Sequence, residues 1–121
     1  MKGIVLFAHG SRDPAWREPI EAVARRMREM DPATQVACAY LELTEPNLET
    51  CVAELRSTGV HAITIWPMFL GSGRHAREDL PRLVADLRRQ HSEIEFALKP
   101  AMGEHPEVLE AMARVALASG R

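Results

Sequence analysis

Four apolar stretches alternate with four segments of helical periodicity, and this alternation constrains the fold more than any other feature of the sequence. The stretches that predict strands are residues 4–8, 36–43, 63–66 and 94–98. They are largely continuous apolar runs, which is typical of parallel strands covered on both faces. Strands that alternate with helices form βαβ units and a parallel sheet. The sequence therefore predicts an α/β fold with a four-stranded parallel sheet flanked by helices.

The size of the chain limits how these strands can be connected. The chain has 121 residues, which fits one domain, so we expect a single domain over residues 1–121. Crossovers between parallel strands are right-handed, and the compact doubly wound arrangement of four strands has the order 2-1-3-4. The predicted fold is a flavodoxin-like half-domain, in which a ligand would bind between strands one and three.

The segments between the strands carry apolar residues at three- and four-residue steps, the spacing of one helix face. The predicted inward faces are Trp16, Ile20, Val23, Met27 and Met30; Leu48, Cys51, Val52 and Leu55; Leu80, Leu83, Val84 and Leu87; and Val108, Leu109, Met112 and Val115. Pro46 and Pro106 mark helix starts, Gly59 and Gly120 mark helix ends, and a glycine loop at 71–73 precedes the third helix.

Charge and composition exclude several classes of protein. The net charge is −2, with 46% hydrophobic and 26% charged residues, which describes an ordinary globular domain and not a nucleic-acid binder. No apolar run approaches the ~20 residues of a membrane span, and the N-terminal segment lacks the features of a signal peptide. Cys38 and Cys51 lie in apolar surroundings, as thiols of a reducing compartment do. We therefore expect a cytoplasmic protein with neither nucleic acid nor membrane as partner.

Two of the five histidines follow the strands that flank the predicted ligand site. His9 comes directly after strand one, and His75 lies in the loop after strand three. Ligands of open α/β sheets bind beyond the carboxyl ends of the strands, so we expect these two side chains to meet. His105 lies at the same edge but further out, whereas His61 and His91 fall at the opposite edge. Two imidazoles suit an open metal site or acid–base work, because a closed zinc site needs four ligands.

Charged and small residues share the edge with these histidines. Glu42 ends predicted strand two, where its carboxylate can complete a metal site, take a proton or simply face solvent. Arginines flank both histidines, and arginine binds carboxylates in bidentate fashion, which indicates an acidic ligand; a solvated positive rim is the alternative. Glycine and serine in both loops let a ligand approach the backbone. The candidate ligand-binding residues are Ser11, Arg12, Gly71, Ser72, Gly73, Arg74 and Arg77.

Four segments carry a sequence pattern that is specific when taken together. They are AHGSRDP at 8–14, YLELTEPNL at 40–48, PMFLGSGRHAREDLP at 67–81 and GEHPEVLEAM at 103–112. Together they resemble the short sirohydrochlorin cobaltochelatases, which are class II chelatases like the sirohydrochlorin ferrochelatases and nickelochelatases. Two positions depart from the family's usual pattern, because Ala8 and Arg74 stand where many relatives have glycine.

The resemblance implies a chelatase-like domain that inserts a divalent metal into sirohydrochlorin. Co²⁺ is the leading candidate for this metal, and Fe²⁺ and Ni²⁺ are the alternatives. By residue matching, His9 and His75 resemble the family's catalytic histidines, which bind metal and accept pyrrole protons, and Glu42 resembles their acidic partner. The metal is then a substrate, and no tightly bound cofactor is expected. A metal or tetrapyrrole carrier of the same fold, without turnover, is the alternative.

The size of a tetrapyrrole implies a second copy of the domain. A pocket buries about 70–90% of its ligand. A tetrapyrrole macrocycle is roughly 15 Å across, and one small domain provides an edge on one side of it but no wall on the other. The longer relatives have two such domains in one chain. Residues 66–70 leave strand three toward this rim, with more apolar surface than a monomer usually exposes. We therefore expect a homodimer, with part of this segment buried at its interface or against the macrocycle.

Overall fold

The computed structural model describes residues 1–119 and, within them, every side chain except that of His75. The elements are β1 (Lys2–Ala8), a 3-10 turn (Pro14–Arg17), α1 (Glu18–Met30), β2 (Gln35–Tyr40), α2 (Leu48–Ser57), β3 (Ala62–Pro67), α3 (Arg74–Gln90), β4 (Glu95–Leu98), a second 3-10 turn (Met102–Glu104) and α4 (Pro106–Ser119). The predicted alternation of strands and helices is confirmed. The predicted helix end at Gly120 lies outside the described residues.

The four strands form one parallel sheet in the order β2-β1-β3-β4, as predicted. The register pairs Ala8 with Tyr40 and Phe7 with Pro67, so that the carboxyl ends of β1, β2 and β3 meet at one edge of the sheet. We call this edge the carboxyl edge. Met68 continues the alignment beyond β3, because its backbone N–H donates to the Phe7 carbonyl at 2.7 Å.

The second strand is shorter than the predicted range 36–43. It ends at Tyr40; Leu41 N still donates to the Ala8 carbonyl at 2.9 Å, and Tyr40 N, on the outer side of this edge strand, donates to the Pro46 carbonyl at 2.9 Å as the chain turns away. Glu42 consequently lies in a loop rather than at the end of a strand. The prediction that Pro46 begins the next helix is also wrong by two residues, because Asn47 is the N-cap of α2 and its side chain accepts from Thr50 N at 2.9 Å. Gly59 follows α2 with φ +93°, as predicted.

The larger part of the core lies on the sheet face covered by α2 and α3. This face buries Val5, Phe7, Ala39, Leu48, Cys51, Val52, Leu55, Val60, Ile63, Ile65, Leu80, Val84, Leu87, Ile94 and Phe96. The predicted inward faces of α2 and α3 are therefore confirmed, with Leu83 packed at the margin. We call this the closed face.

The opposite face carries α1 and is less filled. Among the described side chains, Leu6, Ala24 and Val36 form its buried cluster, with Ile20 and Met27 packed partly against them. The predicted inward stripe of α1 is thus only partly right. Val23 and Met30 are exposed, because α1 turns Ala24, between Ile20 and Met27, toward the sheet. Trp16 is also exposed and lies in the 3-10 turn before α1.

The prediction for α4 is wrong, because its apolar stripe does not face the sheet. Leu109, Met112 and Val115 are 55%, 38% and 66% exposed, and no residue of α4 is buried. The reason lies in the segment before the helix. Gly103 N donates to the Phe69 carbonyl at 2.9 Å, which ties the chain to the end of β3. Beyond this point α4 extends away from the sheet, and its main contacts are with the adjacent 3-10 turn.

The sheet is consequently bare where α4 could have covered it. On the α1 side of β3 and β4, Thr64 and Ala97 are register partners; Thr64 is half-buried and Ala97 is exposed. We call this region, with the neighbouring half-buried Trp66, the open half-sheet. Residues 66–70 are less exposed than expected, since Trp66 and Met68 pack on the α1 side and Phe69 on the closed face, leaving Leu70 76% exposed.

Candidate active site

His9 is the first residue after β1 and stands at the carboxyl edge. Its imidazole lies against the ring of Phe69, with ring centroids 4.6 Å apart and an interplanar angle of 28°. Phe69 follows β3 and is itself packed partly against the closed face. The stacked ring therefore fixes the plane of the imidazole while the side chain of His9 stays 55% exposed.

Glu42 reaches the same point from the loop after β2. Its Oε1 lies 3.7 Å from Nδ1 of His9, and both side chains are 55% exposed. Two ligand atoms about 2.1 Å from one tetrahedral ion lie about 3.4 Å apart, so this spacing is close to that of a shared metal. The structure thus brings together two of the three predicted metal ligands, in an arrangement that is open to solvent.

The backbone between these residues is tightly fitted. A Cβ on Gly10 would lie 1.3 Å from the Glu42 carbonyl oxygen and 3.1 Å from Thr44 N. Glycine in this loop is predicted to let a ligand approach the backbone, but at Gly10 the neighbouring loop fills that space. Leu43, at the tip of that loop, has φ +60°, a conformation that costs a bulky residue about 1–3 kcal/mol.

His75 lies in the first turn of α3 and not in the loop that was predicted. Gly73 is the N-cap of this helix, and α3 starts at Arg74. The side chain of His75 lies outside the described residues, so its predicted meeting with His9 stays a prediction. A Cβ on Gly71 or Gly73 would meet nothing within 4 Å, which leaves the backbone of this loop accessible.

The arginines of the carboxyl edge differ in how they are engaged. Arg77 donates to the Ser72 carbonyl at 3.2 Å and thereby braces the glycine loop. Arg74 pairs with Glu78 at 3.3 Å on the surface of α3. Arg12 is exposed and forms no ion pair within residues 1–119. Of these three arginines, Arg12 is therefore the one best able to bind a carboxylate from outside the chain.

Ser11 and Arg12 border a shallow cavity of about 300 Å³ between the loop after β1 and the loop after β2. Ser11 Oγ accepts from Asp13 N at 3.1 Å, and Asp13 in turn accepts from Ala15 N at 2.9 Å as the cap of the 3-10 turn. These bonds order the segment after His9, so that the side chain of Arg12 projects from a defined backbone.

The remaining histidines lie where the sequence predicted them. His61 Nδ1 is 2.9 Å from the N-terminal amine, at the start of β3 and far from the carboxyl edge. His91 caps the end of α3. His105 lies beyond β4, with its ring centroid 6.2 Å from that of Trp66. None of these three belongs to the His9–Glu42 pair.

A closed metal site is not found among the described side chains, because no three groups from His, Cys, Asp and Glu lie close enough to hold one ion. The set His9, Glu42 and His75 includes a side chain outside that description. No helix within residues 1–119 combines the length and apolar character needed to cross a membrane.

Sequence reasoning missed several residues that shape this site. The sequence analysis assigns Phe69 only to an apolar surface, although its position two residues after β3 places it at the same edge as His9. It assigns no role to Thr44, yet the side chain of Thr44 bonds to the loop of His9. The contact of Gly103 with the loop after β3 could not be read from its sequence neighbours.

Comparison with solved structures places the fold among chelatases. The crystal structure of the CbiX protein of Marinobacter aquaeolei VT8, named for cobalamin (vitamin B12) biosynthesis, superposes with a TM-score of 0.86 and 34% identity, covering 98% of this chain and 97% of that one. The sirohydrochlorin chelatase SirB from Bacillus subtilis subspecies spizizenii, in complex with cobalt, gives a TM-score of 0.79 and 25% identity, covering 93% of this chain and 48% of SirB. The fold is thus chelatase-like, as predicted.

The sequence comparisons define the family. The CbiX family model matches residues 3–118, and the chain belongs to the CbiX family. The sirohydrochlorin cobaltochelatase of Methanopyrus kandleri is 34% identical over 84 residues, which cover 69% of this chain and 59% of that protein. The chloroplastic sirohydrochlorin ferrochelatase of Arabidopsis thaliana is 29% identical over 108 residues, which cover 89% of this chain and 48% of that protein. The chain therefore spans less than two-thirds of the length of either relative.

Proposed function

We propose that this chain is a sirohydrochlorin metallochelatase that inserts a divalent metal ion. Co²⁺ is the leading candidate, and Fe²⁺ and Ni²⁺ are the alternatives. The observation that carries the proposal is the exposed pair of His9 and Glu42 at the carboxyl edge, 3.7 Å apart, with the His9 imidazole stacked on Phe69. The names of the relatives support the same substrate, since they include both a cobaltochelatase and a ferrochelatase.

The chemistry of metal insertion matches this pair. One M²⁺ enters the macrocycle as two pyrrole N–H protons leave, so a site has to deliver a cation and receive protons. A neutral imidazole at His9 can do either, since it binds transition metals and accepts protons near neutral pH. The carboxylate of Glu42 balances the charge of the incoming ion or receives a proton.

The openness of the pair suits a metal that has to leave. A closed set of four protein ligands would retain the ion, whereas His9 and Glu42 provide two ligand atoms and leave the remaining positions to water or pyrrole nitrogen. Imidazole and carboxylate bind Co²⁺, Fe²⁺ and Ni²⁺ alike, so the metal would be selected by supply as much as by the site.

We propose His75 as the third member of this site, as the family resemblance implies. Its backbone lies in the first turn of α3, directly after the accessible loop of Gly71, Ser72 and Gly73. A helix start has unpaired N–H groups that attract anions. The first turn of α3 therefore suits a position beside a carboxylated macrocycle.

The basic residues of the carboxyl edge are proposed to bind the carboxylates of the macrocycle. Arg12 would be the main contact because it has no ion pair of its own, with Ser11 beside it in the same cavity. Arg74 and Arg77 would contribute from α3, where each already has a partner within the chain.

A homodimer of this chelatase-like domain, residues 1–121, is proposed to complete the site. Two uncovered surfaces support it: the exposed apolar stripe of Leu109, Met112 and Val115 on α4, and the open half-sheet. Because α4 points away from its own sheet, the open half-sheet of a second copy is the natural surface for it. The reaction is proposed for the cytoplasm, where Cys38 and Cys51 would stay reduced.

The test is a chelation assay with sirohydrochlorin and Co²⁺, Fe²⁺ or Ni²⁺, followed by absorbance. We expect multiple turnovers per protein, and His9→Ala should slow them by at least about tenfold, as the loss of a general base does. His61→Ala removes an imidazole at the opposite edge and serves as the matched control. Product that stays bound at one equivalent per site would instead identify a carrier, and no acceleration with any of the three metals would refute the proposal.

A further inference from the structure

We propose that Thr44 is a positioning residue that holds Glu42 beside His9. The proposal rests on the function proposed above. Neither the carboxylate nor the imidazole is held by burial, because both side chains are more than half exposed. Their spacing therefore depends on how the two loops that carry them are joined.

The hydroxyl of Thr44 joins the two loops by bonding to both the backbone N–H and the backbone carbonyl of Ser11. Its Oγ1 accepts from Ser11 N at 3.0 Å and donates to the Ser11 carbonyl at 2.9 Å. Ser11 lies two residues after His9, and Thr44 lies two residues after Glu42. The hydroxyl is thus the side-chain link between the backbone that carries the imidazole and the backbone that carries the carboxylate.

The backbone of Thr44 transmits this link to Glu42. Thr44 N donates to the Glu42 carbonyl at 2.7 Å, closing a three-residue turn around Leu43 with its φ of +60°. Turns of this kind are unfavourable for a bulky residue and persist only where the surroundings hold them. The hydroxyl of Thr44 on one side and the close approach of Gly10 to the Glu42 carbonyl on the other supply that support.

The consequence for the reaction is a defined distance between two exposed groups. A displacement of about 1 Å can lower a rate by as much as 10²-fold, because reacting groups have to be held in a productive geometry. If the turn opens, Glu42 moves away from His9, whereas Arg12 remains on a segment held by the Ser11–Asp13 and Asp13–Ala15 bonds, which do not involve Thr44. Loss of Thr44 should therefore affect kcat and metal binding more than affinity for the macrocycle.

The decisive experiment compares Thr44→Val with Thr44→Ser. Valine has nearly the same shape but no hydroxyl, and we expect kcat of chelation to fall at least tenfold with KM for sirohydrochlorin changed less than threefold. Serine retains the hydroxyl and should keep at least half of the wild-type kcat. Thr58→Val is the matched control, because Thr58 Oγ1 also makes a part-buried bond to backbone, donating to the Leu55 carbonyl at 2.7 Å at the opposite edge.

A titration of the protein with Co²⁺ alone separates this proposal from the proposed function. Thr44→Val should weaken Co²⁺ binding by at least fivefold, while Thr44→Ser and Thr58→Val should not. If the wild-type protein binds Co²⁺ but does not chelate, the function fails and the titration still tests Thr44. Equal Co²⁺ affinity in the wild type and Thr44→Val, or an equal loss in Thr44→Ser, overturns the positioning role.

A second variant covers the case in which Thr44→Val does not fold. Thr44→Ala also removes the hydroxyl that bonds to Ser11 but puts no methyl group in its place, so it avoids the steric conflict that valine could cause. We expect the same loss of kcat and of Co²⁺ affinity. Wild-type Co²⁺ affinity in Thr44→Ala would overturn the positioning role.

Discussion

The two faces of the sheet differ in how completely they are covered. The closed face is sealed by α2 and α3 and buries an extended apolar cluster, whereas the other face is covered by α1 alone over β1 and β2. Over β3 and β4 the open half-sheet remains, and α4, the remaining helix, points elsewhere. The difference indicates that the closed face supplies most of the buried apolar core, while the other face keeps an uncovered surface.

The largest effect expected from this comparison is on stability. Leu87→Ala removes a side chain that is 1% exposed on the closed face, and it should lower the free energy of unfolding by about 2–5 kcal/mol. Leu109→Ala makes the same change on α4 and should cost less than about 1 kcal/mol in dilute protein. Urea denaturation at low protein concentration measures both, and equal losses would show that the two faces are not distinct.

The next effect concerns the segment that leads from β4 to α4. A Cβ on Gly103 would lie 2.2 Å from the Leu70 carbonyl oxygen, so Gly103→Ala forces the backbone to shift and should cost about 1–3 kcal/mol. Gly71→Ala is the control for stability, because a Cβ there meets nothing within 4 Å. Thermal unfolding of the two variants should separate them by several degrees, and equal melting temperatures would contradict the tight approach.

The third effect is on assembly through the bare surfaces. Met112→Glu places a charge on the apolar stripe of α4 and should weaken the proposed homodimer by at least about tenfold, or roughly 1.4 kcal/mol. Light scattering should then fall from about 27 kDa, twice the chain mass of 13.5 kDa, toward the monomer value. Arg114→Ala changes the charge by the same amount on the other side of the helix and should leave the mass unchanged.

The smallest effect concerns a polar group buried on the less filled face. The Tyr40 hydroxyl has no hydrogen-bond partner within the described part of the chain, and burial raises the pKa of Tyr40 to about 12. Removing an unsatisfied hydroxyl relieves a desolvation cost, so Tyr40→Phe should raise the free energy of unfolding by up to about 1 kcal/mol at pH 7.

The pH dependence of that difference provides its check. Because the pKa of Tyr40 is raised in the folded protein, the unfolded chain loses this proton first, and wild-type stability falls as pH rises from about 10 toward 12. The advantage of Tyr40→Phe should therefore grow above pH 10. A constant difference between pH 7 and pH 11 would show that the phenol is not buried as described.

The order of the strands was predictable because it follows from local patterns. Apolar runs, helical spacing and the handedness of crossovers gave the sheet order, and the sheet order brought His9 and Glu42 to one edge. The length of β2 was overestimated because Leu41 and Leu43 are apolar yet lie exposed in a loop. Apolar character alone does not tell a strand from a loop that follows it.

The remaining errors concern contacts between distant segments. The stripe on α4 is regular, but periodicity says which face is apolar and not what covers it. The direction of α4 depends on the contact of Gly103 with the loop after β3, and the spacing of His9 and Glu42 depends on the bonds of Thr44 to Ser11. Such contacts join residues that are tens of positions apart, and one sequence does not reveal them.

The close approaches of Gly10 to the Glu42 carbonyl and of Gly103 to the Leu70 carbonyl also divide the loops into positions that tolerate variation and positions that do not. In a library that randomises every residue and is selected for folded protein, positions 10 and 103 should retain glycine. Leu43 should be replaced freely, and asparagine or glycine should be enriched there because both adopt a positive φ at low cost. The loop tip is therefore a place where the sequence can drift while the backbone beneath it stays the same.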